Sequence, residues 1–302
     1  MTGGSTGTDR TDAREHVRPA ATRAEDVAAN ASGENFPVAL RVLPRARRRH
    51  LTALYCFARL TDDLGDEARE TGQADADLRL RLLDELAADV DRIYAGGTPE
   101  SPVMRAMADT VRECDVPAQP LLDLIQANRQ DQRVTRYRTF AELARYCELS
   151  ANPVGQIVLY IFGAATPERV KLSDSICTAL QLAEHWQDVA EDLGQGRIYL
   201  PAEDLERYGC TEADLAEPSA GPAVRNLMRF EVDRAAGLLD SGAPLVGTLR
   251  GAARLAVAGY VAGGRAALAA IRGQRYDVLA RTARPRKPRL AAELVTAYLR
   301  GR

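Results

Sequence analysis

The sequence is poor in aromatic residues and in long apolar runs. Aromatic side chains make up 5% of its 302 residues, whereas alanine, leucine and arginine are abundant. No stretch shows the sustained two-residue alternation that is typical of β-strands. The sequence therefore predicts an all-α fold class.

Other absences narrow the range of functions. No stretch reaches the ~18 uninterrupted apolar residues of a transmembrane helix. The five cysteines contain no CxxC spacing, which indicates reduced thiols in a cytoplasmic protein. A net charge of -2 gives no general attraction to nucleic acid. Because no GxSxG, HExxH, P-loop or GxGxxG pattern is present, the usual nucleophile, zinc and nucleotide chemistries have no support.

The chain divides into a tail and one folded region. Residues 1–31 are rich in Thr, Gly, Ala, Asp and Arg and contain no apolar signal segment, so they are predicted to be a disordered tail. No internal repeat or interdomain linker interrupts residues 32–302. They are predicted to form one helical domain, a bundle of about ten helices with a central cavity.

An acidic helix face is predicted between residues 181 and 194. Four side chains with oxygen ligands fall within one quadrant at the helical period: Gln181, Glu184, Asp188 and Asp192. Gly194 and Gly196 are expected to end this helix, and Arg197 and Tyr199 follow them. Carboxylates beside such donors suit a metal-bridged phosphate, and a solvated helix face is the alternative. His185, on the same helix, is expected at the surface.

A second acidic cluster continues an apolar helix stripe. Leu51, Leu54, Tyr55 and Ala58 define the stripe, Asp62 continues it, and Asp66 lies one turn further on. A carboxylate in such a place needs a cation, an arginine or a water-filled cavity beside it, unless the stripe simply reaches solvent. Arg59 is expected to supply part of that compensation. Two aspartate pairs at i, i+4 spacing on separate helices predict a divalent-metal site within a bundle.

The segment SANPVG, residues 150–155, interrupts a predicted helix with small residues. It is interpreted either as a kink that makes room for a bulky group or as a turn between two core helices. Gln126, Gln130 and Asp131 lie on a neighbouring predicted helix and face either a cavity or the surface.

Magnesium fits this set of ligands best. Mg²⁺ takes one or two protein carboxylates, keeps several waters and shares substrate phosphate. Two facing acidic helices could hold two or three Mg²⁺ ions around a diphosphate, and Arg197 would stabilise the charge that develops as diphosphate leaves. An apolar pocket would then shelter the carbocation. The reaction expected is ionisation of an allylic or cyclopropylcarbinyl diphosphate.

Three segments give the chain a resemblance to a known family. ALYCFARLTDD with Asp66, YCELSANPVG, and QDVAED followed by GRIYLP are similar in kind and order to the squalene and phytoene synthases, which are trans-isoprenyl diphosphate synthases. The resemblance covers about residues 35–299. It implies the isoprenoid synthase helical fold and enzymatic action on prenyl diphosphates.

The resemblance also assigns roles to individual residues. It implies metal binding by the two aspartate-rich motifs, Asp62, Asp63, Asp66, Asp188 and Asp192. Diphosphate-binding positions fall on Arg59, Arg197 and Tyr199, and positions lining the cation's pocket fall on Tyr55 and Tyr146. Gln181 matches a family glutamine one turn before the second motif. Asn35 and Phe36, within the ENFPV segment, and Glu184 complete the set expected to contact substrate.

Departures from the family pattern point to one branch. Glu184 stands where relatives have Asn, and Gln187 stands where phytoene synthases have Arg. The Trp186–Val189 sequence and ENFPV are similar to the hydroxysqualene synthase branch of bacterial hopanoid pathways. That resemblance implies ionisation of presqualene diphosphate, rearrangement and capture of the cation by water, with no NADPH.

The sequence leaves other functions open. The close alternative is condensation of two prenyl diphosphates to presqualene diphosphate, squalene or phytoene, which needs two diphosphate sites and more basic donors. More distant alternatives are a chain-elongating prenyltransferase and a non-catalytic helical scaffold. A lipophilic product predicts peripheral contact with the inner face of the membrane. Neighbouring squalene-pathway enzymes are the expected protein partners.

Overall fold

A computed structural model describes residues 43–66 and 73–300, without the side chains of Asp66 and residues 73–75. The predicted tail and the two residues expected to contact substrate at positions 35 and 36 lie outside these ranges. The described chain is helical, and its only β-type pairing is an isolated bridge between Arg136 and Ile198. The predicted all-α class is confirmed.

Ten of the described helices have ten or more residues, and four short ones connect them. In chain order they are α1 (Arg45–Asp66), α2 (Gln73–Tyr94), α3 (Pro102–Cys114), α4 (Ala118–Asp131), α5 (Phe140–Ser150), α6 (Asn152–Ile161), α7 (Pro167–Gln187), α8 (Val189–Gly194), α9 (Ala202–Arg207), α10 (Glu212–Leu215), α11 (Pro222–Gly242), α12 (Leu245–Thr248), α13 (Gly251–Gly273) and α14 (Lys287–Arg300). The prediction of about ten helices in a single domain is confirmed.

Local sequence explains where several helices begin. Thr166 adopts an extended conformation, and its side chain accepts a hydrogen bond from the Arg169 amide at 3.3 Å. Pro167 then occupies the first turn of α7, where its missing N–H costs nothing. Thr139 caps α5 in the same way by accepting from the Glu142 amide.

Helix α7 lies at the centre of the fold. It packs on α11, α13, α5 and α6, and its Leu182, Ala183 and Trp186 are fully buried. A Cβ added to Gly264 on α13 would lie 2.7 Å from Leu180 Cδ2, so glycine at this position favours the close approach of α13 to α7. Among the candidate site residues on α7, His185 is buried and Gln181 and Glu184 are half-buried.

A second group of buried side chains joins α1, α2, α3, α4 and α6. Phe162 and Tyr260 pack against both this group and the larger group around α7. Because shared side chains join them, the two groups belong to one domain. The space that they leave between α1, α6, α7 and α13 becomes the cavity described below.

Helix α13 is long and apolar enough to cross a membrane by length and composition alone. It has 23 residues, and 67% of its most apolar 18-residue window is buried inside the protein. The neighbours α7, α11 and α14 cover it. Its position as a core helix of the domain therefore explains its apolar composition.

Candidate active site

An apolar cavity of about 280 Å³ lies between α1, α6, α7 and α13. Aliphatic side chains make up most of its wall, including Leu51, Leu54, Val158, Ile176 and Val257. The residues expected at the substrate on α1, Tyr55 and Arg59, also line it. A cavity with this lining suits a long hydrocarbon chain.

The small residues of the SANPVG segment form part of the cavity wall. Helix α5 ends at Ser150 and α6 begins at Asn152, so the chain bends at Ala151. Ser150, Ala151 and Gly155 all line the cavity. A Cβ added to Gly155 would lie 2.4 Å from both Ser173 Oγ and Cys177 Sγ on α7. The small residues at this bend therefore leave room for the cavity and also let α6 pack closely on α7.

A polar cavity, also of about 280 Å³, adjoins the apolar one. Four residues line both cavities: Asp62, Ser150, Gln181 and Glu184. Five carboxylate residues from different elements line the polar cavity: Asp62, Asp131, Glu184, Asp188 and Asp192. The structure therefore brings the two acidic segments to one cavity at the end of an apolar chamber.

Asp62 is held in place by α4. Asn128 Nδ2 donates to Asp62 Oδ1 at 3.2 Å. A Cβ added to Gly65 would lie 2.2 Å from Asn128 Oδ1, so glycine at this position allows α4 to approach α1. The contact with Asn128 was not predicted, because it joins residues 66 positions apart.

Other residues predicted on α1 have different surroundings. Arg59 Nε contacts Asp63 Oδ1 at 2.8 Å, one helical turn away. Arg59 was expected to supply part of the compensation for Asp62, and the structure pairs it with Asp63. Asp63 does not belong to the described lining of either cavity. The described part of α1 ends at Asp66, whose side chain is not described.

The predicted continuous helix through residue 194 is wrong at Asp188. Helix α7 ends at Gln187, Asp188 has φ -108° and ψ 17°, and α8 begins at Val189. The buried Gln187 side chain donates a hydrogen bond to the Ala283 carbonyl, a partner 96 positions away that periodicity could not reveal. Gln187 is absent from the described lining of both cavities.

Asp188 sits half-buried at this break. Burial, followed by the nearby Glu191, raises the pKa of Asp188, and Arg284 opposes that shift. A bound cation would favour the ionised carboxylate in such a place. The electrostatics of Asp188 therefore suit a residue whose partner is a positive ion.

The segment after α8 is fixed by pairing with residues 135–137. The Ile198 amide donates to the Thr135 carbonyl at 2.9 Å, and the Ala202 amide donates to the Tyr137 carbonyl at 2.9 Å. Side chains alternate in such extended backbone. Arg197 and Tyr199 therefore both line the polar cavity, while Ile198 is buried on the other side.

A cluster of rings closes one wall of the polar cavity. Tyr199 stacks on His185 with ring centroids 3.7 Å apart, and it lies 5.9 Å from Tyr146 and 5.8 Å from Tyr137. Faces of such rings attract cations. The Tyr146 hydroxyl donates to Asp131 Oδ2 at 2.8 Å. Asp131, for which cavity and surface were both open, lines the cavity.

His185 is buried, and its expected surface position is wrong. Burial, followed by the Arg197 charge, lowers the pKa of His185 to about 3. The ring is therefore neutral at physiological pH. Its Nε2 lies 3.3 Å from Gln181 Nε2, so the two side chains form a hydrogen bond one turn apart on α7. The i, i+4 spacing of Gln181 and His185 was the one sequence signal for this contact.

The sequence matches the family model described as squalene/phytoene synthase over residues 29–291. The chain belongs to the squalene/phytoene synthase family. It is accordingly an enzyme that acts on prenyl diphosphates.

Individual family members resemble the chain to differing degrees. It is 32% identical over 279 residues to 15-cis-phytoene synthase from Synechocystis sp., covering 88% of this chain and 81% of that protein. It is 33% identical over 219 residues to hydroxysqualene synthase from Rhodopseudomonas palustris, covering 72% of each. The crystal structure of squalene synthase HpnC from Alicyclobacillus acidocaldarius superposes with a TM-score of 0.74 at 42% identity, covering 84% of this chain and 94% of that one.

The squalene/phytoene synthases use divalent metal ions, and the donor set of the polar cavity fits such ions. Within residues 43–66 and 73–300, no three His, Cys, Asp or Glu side chains come close enough to enclose a metal by themselves. Magnesium does not need such an enclosure, because one or two carboxylates, water and substrate phosphate complete its octahedron. The dispersed carboxylates of Asp62, Glu184, Asp188 and Asp192 suit ions shared with a diphosphate.

Proposed function

We propose that this squalene/phytoene synthase family member is a hydroxysqualene synthase. It would convert presqualene diphosphate and water into hydroxysqualene and diphosphate. The observation that carries the proposal is the small number of basic side chains at the two cavities. Among the described lining residues, only Arg59 and Arg197 carry a positive charge, because the lining His185 is neutral. A condensing enzyme binds two allylic diphosphates and needs more cationic donors.

The position of Gln187 adds to this support. Phytoene synthases have an arginine before the first aspartate of the second motif, whereas this chain has a neutral amide that bonds to the Ala283 carbonyl. That amide is 3% exposed and adds no positive charge beside Asp188. One diphosphate per turnover is consistent with this loss of a cation.

Relatives support the choice without deciding it. A hydroxysqualene synthase matches at 33% identity, but phytoene synthases match at 32% and 34%. The solved structure with 42% identity is that of a squalene synthase. The proposal therefore depends on the site residues rather than on the ranking of relatives.

The chain's own residues would divide the reaction between the two cavities. Mg²⁺, two or three ions when bound, would neutralise diphosphate charge and favour its departure. Asp62, Asp188 and Asp192 would hold those ions, with Glu184 replacing the amide that relatives have there. Arg197 and Tyr199 would donate hydrogen bonds to the diphosphate oxygens. Because buried donors are already oriented, they stabilise developing charge at little reorganisation cost.

The hydrocarbon part would lie in the apolar cavity, with Tyr55 in its wall. The C–O bond breaks, the electron pair leaves with diphosphate, and the cyclopropylcarbinyl cation rearranges. The Tyr146 and Tyr199 rings, beside Gln181, would stabilise that cation through their faces. Water then forms the new C–O bond and releases one proton. No electrons are gained, so no NADPH is required.

Two further residues expected at the substrate, Asn35 and Phe36, and the metal ligand expected at Asp66 remain part of this proposal. Cytoplasmic location, peripheral attachment to the inner membrane face and neighbouring squalene-pathway enzymes also belong to it. The cytoplasmic location is inferred from the unpaired cysteines, and the membrane contact is inferred from a lipophilic C30 product.

Product analysis tests the proposal. Purified protein is incubated with presqualene diphosphate and Mg²⁺ in H₂¹⁸O without reductant, and the expected product is a C30 alcohol that carries one ¹⁸O atom. Farnesyl diphosphate alone is the comparison substrate. Consumption of farnesyl diphosphate with release of diphosphate, while presqualene diphosphate is ignored, would identify a condensing enzyme instead.

A further inference from the structure

The last helix presents an apolar ridge to solvent. Five positions of α14 are exposed and uncharged: Pro288, Ala291, Ala292, Val295 and Leu299. At the helical repeat they form one stripe about 100° wide. Val295 is 58% exposed and Leu299 is 51% exposed, the two highest values among the large apolar residues in the described ranges. We name these five residues the α14 ridge.

The opposite face of α14 already has its partner. Ala297 is buried, and Leu294 and Tyr298 pack against the larger core group. The Arg254 guanidinium on α13 lies 4.6 Å above the Tyr298 ring and donates to the Tyr298 carbonyl. The helix is therefore held to the body by its inner face, so the ridge is free to contact something else.

The ridge lies within a strongly basic segment. Residues 281–300 contain six basic residues and one acidic residue, a local net charge of +5 in a chain whose net charge is -2. All six basic side chains are exposed: Arg281, Arg284, Arg286, Lys287, Arg289 and Arg300. Apolar residues flanked by exposed cations are the composition of a helix that lies at an anionic lipid surface.

The start of this segment is attached to the catalytic region. The Ala283 carbonyl accepts the hydrogen bond from Gln187, the residue before Asp188. Three residues lie between Ala283 and Lys287, the first residue of α14, so these two positions are at most about 14 Å apart. The basic segment therefore begins beside the break at Asp188, at the wall of the polar cavity.

A second copy of this chain fits the ridge less well. A two-fold contact through α14 would place the helix beside its own copy, in either a parallel or an antiparallel arrangement. In the parallel arrangement Arg289 would approach its own counterpart, and in the antiparallel one Lys287 and Arg289 would approach Arg300. Like charges in contact are unfavourable in both cases. Anionic lipid headgroups meet the same cations with the opposite sign.

We propose that the α14 ridge docks this enzyme on an anionic bilayer surface. Val295 and Leu299 would enter the interface between headgroups and acyl chains. The exposed arginines and Lys287 would contact the lipid phosphates. The inference is independent of which prenyl diphosphate the enzyme uses, because it depends on the exposed face of α14 alone.

Vesicle binding tests the proposal with the full chain. Sedimentation with phosphatidylglycerol-containing vesicles is compared with sedimentation with pure phosphatidylcholine vesicles at low and high salt. We expect at least tenfold stronger partition to the anionic vesicles, weakened by salt. The variant V295S/L299S is expected to lower that partition at least tenfold. The single variant Leu299→Ser should lower it more than Leu78→Ser, which makes the same change at an exposed site on α2.

Two triple variants distinguish the effect of positive charge near the α14 ridge from the effect of the protein's net charge. R286Q/K287Q/R289Q and the control R81Q/R112Q/R145Q remove three exposed positive charges each. Only the first is expected to lower partition at least tenfold. Circular dichroism and turnover in detergent should be unchanged in all variants, which separates lost docking from lost folding or catalysis.

Three outcomes would overturn the proposal. The first is equal partition of the wild-type chain to anionic and neutral vesicles, or no partition to either. The second is unchanged partition of V295S/L299S to anionic vesicles, or an equal loss of that partition in the two charge variants. The third is concentration-dependent dimerisation that V295S/L299S abolishes without any effect on vesicle binding, which would make the ridge a subunit interface.

Discussion

Tyr146 and Asp131 are joined by a hydrogen bond of 2.8 Å from the tyrosine hydroxyl to Oδ2 at the wall of the polar cavity. Burial, followed by the Asp131 charge, raises the pKa of Tyr146 well above its ordinary range. The hydroxyl therefore stays protonated and continues to donate. The bond connects α5 to α4 and orients the ring that lies 5.9 Å from Tyr199.

Removing this bond should slow turnover. Tyr146→Phe keeps the ring but removes the donor, and we expect kcat to fall about 10- to 100-fold, because a hydrogen bond to a charged group contributes about 1.5–3 kcal/mol. KM should change less than kcat. Steady-state kinetics with the prenyl diphosphate substrate measures both. Tyr208→Phe serves as the control, because the Tyr208 ring packs 5.5 Å from the Phe230 ring and lines neither cavity.

Asp131→Asn should show that Tyr146 and Asp131 act as a pair. Because both changes remove the same interaction, the double variant Y146F/D131N should lose little more than either single variant, with a coupling of about 1 kcal/mol or more. Losses that simply add would mean that the two side chains act independently.

The apolar cavity should limit the length of the substrate chain. Val154 lines that cavity, and Val154→Phe adds volume to space that the hydrocarbon would occupy. We expect kcat/KM for a C30 substrate to fall at least about tenfold, whereas the free energy of unfolding changes little because the ring fills a void rather than the packed core. Val154→Ala, which enlarges the cavity, is the control. A similar loss in both variants would indicate a general packing defect.

A buried charge cluster away from the site should make stability depend on pH. Glu231 is fully buried, and Arg234 Nη1 contacts both Glu231 Oε2 at 3.1 Å and Asp204 Oδ2 at 2.7 Å. One arginine therefore serves two carboxylates. Burial, opposed in part by Arg234, raises the pKa of Glu231 to about 8.

The direction in which stability changes with pH follows from proton binding by Glu231. Between the ordinary pKa of Glu231 and about 8, the folded state holds a proton that the unfolded chain has released, so stability falls as pH rises through this window. Glu231→Gln keeps the shape without the charge and should flatten the profile. Urea unfolding at pH 6 and pH 9 measures it, and equal slopes for wild type and variant would contradict the assignment.

Gln187 should act on stability through the C-terminal segment. Gln187→Ala leaves the Ala283 carbonyl without this donor, and a lost buried hydrogen bond costs about 1–3 kcal/mol. Thermal unfolding measures the loss, and Gln119→Ala at an exposed helical position is the control. An unchanged melting temperature would show that water replaces the amide without cost.

Much of the fold could be predicted from the sequence because its signals are local. The Thr166–Pro167 start of α7 and the all-α class both depend on neighbouring residues or on helical periodicity. The break at Asp188 could not be predicted in this way, since the residues around it keep a helical pattern. Next to the break, Gln187 bonds to the Ala283 carbonyl, a partner that only the folded chain brings near.

In the candidate site too, some features could be predicted from local sequence and others depend on tertiary contacts. The two acidic segments could be identified from aspartate spacing, and the structure places Asp62 and Asp188 at one cavity. The support from Asn128, the cavity position of Asp131 and the burial of His185 depend on tertiary packing. Sequence patterns show which residues carry the chemistry, whereas the orientation of each depends on distant helices.

The central claim is that residues from two acidic segments hold one diphosphate at the end of the apolar cavity. Titration calorimetry with inorganic diphosphate, with and without Mg²⁺, tests this claim most directly. We expect Mg²⁺-dependent binding by wild type and by the control Asp233→Asn, and at least about tenfold weaker binding by both Asp62→Asn and Asp188→Asn with helicity preserved. Binding that survives in either aspartate variant, or that needs no Mg²⁺, would contradict the claim.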